Sequence, residues 1–525
     1  NPSVFCENSG LHNRKDDFMA RYKPVHKGLK LLPVDFDQQI LPGSFEFALC
    51  HLVDHEMDLS AFHARYKNDE QGASAFDPAV LIKIILLAYS RGIISSRKIE
   101  TACRENVTFM SVSGDSQPHF TTLAAFVATM GDLVTTLFAQ ILTVCERQGL
   151  IGHHMFAIDG VKLPSNASKA KSGTRQDYQR QLDKMEASAR HMIERHQAQD
   201  HQPQDAELAR KDAEKLARLQ QEAQQLQQWL QDHPDDRKGR KNRVILSNRT
   251  DNESAKMATG KGVIQGYTGV ACVDDKHQII VSAEAHGTGS EHELLLPAIE
   301  ATGALLHADT IITADAGYHS EANLNALAEK AIDAFIPDNG YRLRDPRYAN
   351  QSVHTQKADP LWDKRRTEPK IVLFSAADFS LAPDHRSCVC PAGKTLRRNG
   401  SNATINGYAA LLFKGVVSEC GGCDRRAECL RHPEKTRVRQ VAFLQGKRPG
   451  AASHSDKMKA KIDAELGRRM ITQRFATVEP VFGNLRANKQ LTRFTVRSKK
   501  KVDGQWKLYC MMHNIEKLAH HGYAA

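Results

Sequence analysis

Two short apolar segments, far apart in the chain, each close on an aspartate. This repeated design restricts the fold more than any other feature of the sequence. Thr310-Ile311-Ile312-Thr313-Ala314-Asp315-Ala316-Gly317-Tyr318 reads as a buried strand that ends on a carboxylate and passes at once into a turn. Ser320 then opens a helical pattern (Leu324, Leu327, Ala328, Ala331), which sets Asp315 at the carboxyl edge of a sheet, where α/β proteins place their sites. Gly317, just past the acid, removes a side chain and leaves room for a bulky backbone such as DNA. Phe156-Ala157-Ile158-Asp159-Gly160 repeats the design, so two strand-end carboxylates are expected to converge.

A third acid stands in Val478-Glu479-Pro480-Val481-Phe482-Gly483-Asn484-Leu485-Arg486. There Phe475, Val478, Phe482 and Leu485 mark one apolar helix face, and Glu479 and Arg486 lie nearly in line along it. Pro480 disfavours the α conformation at Glu479 and deprives the Ala476 carbonyl of its helical donor, so the helix is expected to kink or to begin there.

This order of strand-Asp159, strand-Asp315-Ala-Gly-Tyr and helix-Glu479 with a basic residue after it resembles the DDE transposases of bacterial insertion sequences. The likeness is to members with a long helical N-terminal region and a cysteine-rich insert. It implies a ribonuclease H-like core in which Asp159, Asp315 and Glu479 are catalytic and hold two Mg²⁺ ions, with Mn²⁺ able to substitute. It also implies that Arg486 contacts phosphate, and that water and then a freed 3′-OH attack DNA with no covalent protein–DNA intermediate. The implied partner is double-stranded DNA, both the element's terminal inverted repeats and the target, bound by a homodimer or higher oligomer. Relatives often carry an arginine four residues before the glutamate; here Phe475 holds that position and Arg474 stands one step earlier. Asn166, Asn248 and Asp251 correspond to further family positions outside the catalytic set. Two other functions fit the same residues: a non-catalytic DNA-binding protein derived from a transposase, and a structure-specific nuclease on the same fold.

The expected fold class is α/β, a ribonuclease H-like mixed sheet with helices, interrupted by two inserts and preceded by an all-α domain. Residues 1–148 read as the helical, DNA-binding N-terminal domain. In it Asp77-Pro78 starts a helix that Gly92 ends, a short helix follows from Ser95, and Thr121–Val144 forms one long helix. Residues 149–345 form the first part of the catalytic core. They contain a helical hairpin over 170–236, broken at Asp200-His201-Gln202-Pro203-Gln204, with Leu208, Leu216, Leu219, Leu226 and Leu230 as the second helix's seam. The core continues through an antiparallel pair (269–273 and 278–284), a helix capped by Ser290 and Glu293, the Asp315 strand, and a last strand at Ala334-Phe335-Ile336. Residues 346–465 are a cysteine-rich insert, and 466–525 carry the final catalytic helix and a basic C-terminal segment.

The chain has 72 Lys plus Arg against 61 Asp plus Glu, a net charge of +11 that favours a polyanionic partner. Much of the excess follows Glu479, where Arg486, Lys489, Arg493, Arg497, Lys499, Lys500 and Lys501 are interleaved with Phe494, Trp506 and Tyr509, a composition suited to tracking a DNA backbone. Six of the eleven cysteines are scattered, which implies a reducing compartment, and five cluster. Cys388-x-Cys390 and Cys420-x-x-Cys423-x5-Cys429 supply thiols for a structural zinc; the expected ligands are Cys390, Cys420, Cys423 and Cys429, with Cys388 as the alternative. No signal peptide is apparent, and the apolar residues of Thr121–Val144 form a helical stripe rather than a membrane span, so a cytoplasmic, nucleoid-associated protein without membrane contact is expected.

Overall fold

The central sheet draws its strands from segments that the sequence keeps well apart. The computed structural model describes residues 33–66, 74–199, 206–239, 242, 244–260, 262–348, 373–400, 403–405, 408–445 and 453–522. Its main sheet has six strands: β1 (Met155–Pro164), β2 (Ala255–Thr259), β3 (Gly262–Asp274), β4 (Ile280–His286), β5 (Ile311–Ala314) and β6 (Ala334–Phe335). β1 lies antiparallel to β3 on one side, with Phe156 opposite Asp274, and parallel to β5 on the other, with Ile158 opposite Ala314. β6 extends the parallel side, while β2 and β4 share the far edge of β3. A long antiparallel hairpin joined to three parallel strands is the ribonuclease H-like arrangement. The apolar runs of β1 and β5 are continuous because both sheet faces are covered: Phe156, Ala157, Ile158, Ile312 and Ala314 are all fully buried.

The helix Lys499–His521 packs against the antiparallel side and governs much of the core. Trp506 donates from Nε1 to the Val270 carbonyl at 2.9 Å, over Gly269, where a Cβ would approach the indole to 3.0 Å. Asn514 accepts from the Ile280 amide and donates to its carbonyl, and Asp503 accepts from the Ala285 amide, so the outer groups of β4 are paired with helix side chains. Phe494, Trp506 and Tyr509 are therefore core residues, which corrects their reading as part of a DNA-tracking surface. Val502, Trp506, Tyr509 and His513 recur at helical intervals, while Phe494 is buried in the segment before the helix.

One hydrophobic core runs from this sheet into the N-terminal helices, and Tyr89 stacks on Tyr509 at 4.3 Å. Asp77 caps Pro78–Ser90 as expected, accepting from the Ala79 amide. Thr121–Val144 is not one helix. It divides into Phe120–Thr129 and Leu133–Arg147, bent by 80° at a break that contains Gly131 with φ +56. Both halves turn their apolar side toward the same core, which is why one stripe runs across the break. Among the described residues no single helix is long and apolar enough to cross a membrane, and only this bent pair would reach the length jointly.

The hairpin insert pairs Arg175–Gln199 with Ala206–Asp232 around Tyr178, Leu182, Leu226 and Leu230; the break at Asp200–Gln204 lies outside the described residues. Ser290 and Glu293 do not form the expected capping box. A 3-10 turn, His292–Leu294, leads into Leu295–Glu300, and neither start has a side-chain cap. The cysteine-rich insert has more regular structure than its sequence suggested. Six strands between Ser380 and Gln445 make an antiparallel sheet with its own small core of Phe379, Cys388, Leu396, Leu411, Phe413 and Val441.

Pro480 sits inside an unbroken helix, Glu465–Gly483. The Ala476 carbonyl that it cannot serve is taken instead by Gln278, whose Nε2 donates at 3.1 Å from the turn between β3 and β4. Gln278 is itself held by Lys517, which donates to its Oε1, and by His513, whose Nε2 donates to its carbonyl at 3.0 Å. Burial, together with Lys517 and Lys489, pushes the His513 pKa down to about 4. An unfolded histidine takes up its proton near pH 6.5, so this contribution to stability is complete above that pH. It is lost as pH falls toward 4, at a cost of up to about 3 kcal/mol. His513→Gln, which keeps a donor, is expected to lose correspondingly less stability between about pH 7 and 4.5 in denaturant titrations. Equal losses in variant and wild type would rule this out.

Candidate active site

Asp159 and Asp315 follow paired residues of neighbouring parallel strands, since Ile158 is opposite Ala314. The sheet therefore delivers both carboxylates to one edge. Each also folds back on the backbone just after it: Asp159 accepts from the Gly160 amide and Asp315 from the Gly317 amide, both at 2.8 Å. The Asp315 bond caps a single 3-10 turn, Ala316–Tyr318.

Arg474 reaches this edge from the Glu465–Gly483 helix. It is 3% exposed, and its Nη2 lies 3.1 Å from Asp159 Oδ2. Burial pushes the Asp159 pKa up to about 6; Arg474 and the Gly160 amide oppose that rise, and Asp315 and Glu291 add to it. Glu291 thus belongs to the neighbourhood although nothing in the sequence reading singled it out. Its Oε1 pairs with Lys162 of β1 at 2.9 Å. A Cβ at Gly317 would stand 2.5 Å from Glu291 Oε2 and 2.9 Å from Asp315 Oδ1. The missing side chain of Gly317 makes room for two carboxylates rather than for a DNA backbone. Tyr318 completes the group. It is fully buried, its hydroxyl has no hydrogen-bond partner among the described residues, and burial beside Asp159, Asp315 and Glu291 raises its pKa well above the usual phenol value.

Glu479 is placed differently. It lies on the exposed face of its helix, near Arg342, a guanidinium that also stacks on Tyr341 and Tyr348. Among the described residues no three His, Cys, Asp or Glu side chains are disposed to hold a metal ion, so Asp159, Asp315 and Glu479 do not close into one cluster here. The observations that fit a divalent cation are the oxygen-only donors and the partnerless Tyr318 hydroxyl. They all lie on the Asp159–Asp315 side.

Of the basic residues after Glu479, Arg486, Arg493, Arg497, Lys499, Lys500 and Lys501 are exposed. Arg493 and Arg497 donate to Asn166, and Lys500 pairs with Asp132 at 2.8 Å. Lys489 leaves this set. It is buried, with its ammonium committed to Glu516 and to the Ser90 carbonyl, and it ties the C-terminal helix to the N-terminal bundle.

Cys390, Cys420, Cys423 and Cys429 line one pocket in the second sheet's unit, and the other three each bear on the Cys429 thiol. The Lys394 amide donates to Cys390 Sγ, and a Cβ at Gly415 would lie 2.7 Å from Cys420 Sγ. Cys388 is not among the residues lining the pocket; it is fully buried in the small core, against which Cys390 and Cys429 pack.

Two family models match the chain. One, described as a transposase DDE domain, covers residues 389–519, from the cysteine-rich unit through Glu479 into the C-terminal helix. The other, a transposase domain, covers residues 34–129 of the helical region. No curated protein matches. The two aspartate strands lie between these matches, on the ribonuclease H-like sheet that such domains share. With transposase models at both ends and that sheet between them, the chain belongs to the DDE transposases of insertion sequences.

Proposed function

We propose that this transposase binds the terminal repeats of its element, cleaves a phosphodiester bond at each end and joins the freed end to target DNA. The observation that carries the reading is the delivery of Asp159 and Asp315 to one sheet edge by paired parallel strands. In the first step a water oxygen attacks phosphorus and the bond from phosphorus to the 3′ oxygen breaks, leaving a 3′-OH. In the second, that 3′-OH attacks a target phosphodiester and displaces a target 3′-OH. Asp159 and Asp315 are the proposed ligands of Mg²⁺, and Glu479 is the third acid, on a face that DNA can reach. A divalent ion held there supplies positive charge to the attacking and leaving oxygens. Arg474 orients the Asp159 carboxylate and offsets its charge. Arg486, Arg493, Arg497 and the Lys499–Lys501 run offer the DNA backbone a cationic border.

We propose that the four thiols, which as they stand are not disposed to hold an ion, close on one structural zinc, on the strength of the donor set and the small core beside it. The active species is proposed to be a dimer or larger, acting in the cytoplasm on the nucleoid. The deciding experiment supplies a pre-cleaved end that already carries a 3′-OH and looks for joined product with Mg²⁺. Joining is the expected result. Cleavage of intact ends without joining would indicate a nuclease, and binding without either would indicate a DNA-binding protein.

A further inference from the structure

Resting on the DNA reading above, we propose that Arg342 binds a backbone phosphate of the end DNA beside Glu479. The residue sits in a short helix, Tyr341–Arg344, and is exposed. Its guanidinium is nevertheless held from several sides. Nε donates to the Tyr341 hydroxyl at 3.0 Å, and Cζ lies 5.3 Å from the ring centroid of Tyr348, 5.7 Å from that of Tyr341 and 6.0 Å from that of Phe475. Phe475 precedes Glu479 by four residues, one helical turn and about 6 Å along the axis, so the two share a side of the Glu465–Gly483 helix. Arg342 therefore lies against the helix within a turn of Glu479, which acts on it electrostatically and is itself exposed.

The second observation is the contrast with its neighbours. Arg344 pairs with Asp338 at 2.6 Å and Asp463 at 2.7 Å, and Arg347 pairs with Asp345 at 2.7 Å. Among the described residues Arg342 forms no ion pair, and its one hydrogen bond leaves both Nη groups without an acceptor. Packing on tyrosines accounts for the rings and for Nε, but it does not require that the one unpaired guanidinium of the three be the one beside Glu479. A planar fork already fixed by aromatic rings loses little freedom on meeting two phosphate oxygens. End DNA is the partner because, in the two steps above, it stays at the acids through cleavage and joining, whereas target DNA takes part only in the second.

The test is binding of the full-length protein to end duplexes with Ca²⁺ in place of Mg²⁺, each duplex carrying one neutral methylphosphonate among the phosphates that flank the cleavage position. Arg342→Ala is expected to weaken binding of the unmodified end about tenfold, the size of one charge-assisted contact. One methylphosphonate should cost the wild type a comparable factor, and at that phosphate the variant should lose nothing further. Arg342→Gln, which keeps a polar side chain without the charge, should behave alike and decides the matter if Arg342→Ala fails to fold. Because the readout needs no chemistry, a wild type that shows this coupling but neither cleaves nor joins would refute the transposition steps and leave the phosphate contact standing. Losses that multiply at every phosphate, wild-type affinity in the deciding variant, or a loss confined to random-sequence duplex overturn the assignment to Arg342, and failure of the wild type to bind end DNA overturns both.

Discussion

Asparagine at Asp159 or Asp315, or glutamine at Glu479, is expected to reduce end cleavage and strand joining by about a thousandfold or more, on the order of 4 kcal/mol of lost transition-state stabilisation. Each change preserves side-chain shape and removes the charge that attracts the cation. Binding of end DNA should persist, since the basic border lies on other residues. The two aspartates should differ in one respect. Asp159→Asn leaves Arg474 buried without its ion-pair partner, so its melting temperature should fall by an amount equivalent to about 1–3 kcal/mol. Among the described residues no arginine pairs with Asp315, and its variant should melt close to wild type. Gel assays with end and target oligonucleotides, run beside thermal melts, read both effects. A folded, DNA-bound variant that cuts at the wild-type rate would exclude that residue from the essential set.

Removing the metal from the cysteine unit should have the largest effect on stability. Structural zinc sites contribute roughly 10 kcal/mol or more in small zinc-dependent peptides. Here six buried side chains make up the core of a six-stranded sheet, little on which to fold without a staple. Elemental analysis is expected to find about one zinc per chain. A strong chelator, or Cys420→Ser with Cys423→Ser, should expose the region 373–445 to protease while the main sheet survives. Cys388→Ser makes a contrasting case. It puts a hydroxyl into an apolar core, so it should cost about 1–3 kcal/mol and keep the zinc. Protein that is folded yet free of zinc would defeat the assignment.

The Asp315 strand was legible because a short apolar run closing on Asp-Ala-Gly leaves few alternatives, whereas Asp159, expected at a strand end, lies inside a strand that continues to Pro164; the hairpin insert was legible because its leucines recur at heptad-like intervals. Legibility failed where a local signal had two physical causes. Gly131 interrupts an apolar stripe without interrupting its burial, so one helix was expected where two form. Aromatic residues among lysines suit a nucleic-acid surface, yet Val502, Trp506, Tyr509 and His513 recur at the interval of a buried helix face, and that period was the better signal. Strands of two to seven residues in the cysteine unit are too short for periodicity to reveal. Glu291 and Lys162 were missed because their meeting depends on the turn before Leu295–Glu300 folding over β1. Arg474 stood one position away from the expected arginine, and only its ion pair with Asp159 assigns it a place.

The turn between β3 and β4 shows how two requirements can fix one surface residue. At position 278 the backbone occupies φ +61, a conformation that glycine or asparagine adopts more readily, while the side chain must span the gap to the Ala476 carbonyl. Glycine would meet the first requirement and abandon the second, asparagine is one methylene short, and glutamate would turn an acceptor toward an acceptor. The range of tolerated replacements should therefore be narrow at a hairpin tip, ordinarily among the most permissive places in a sheet. An inserted or deleted residue there would be felt 198 positions further along, in the helix that presents Glu479.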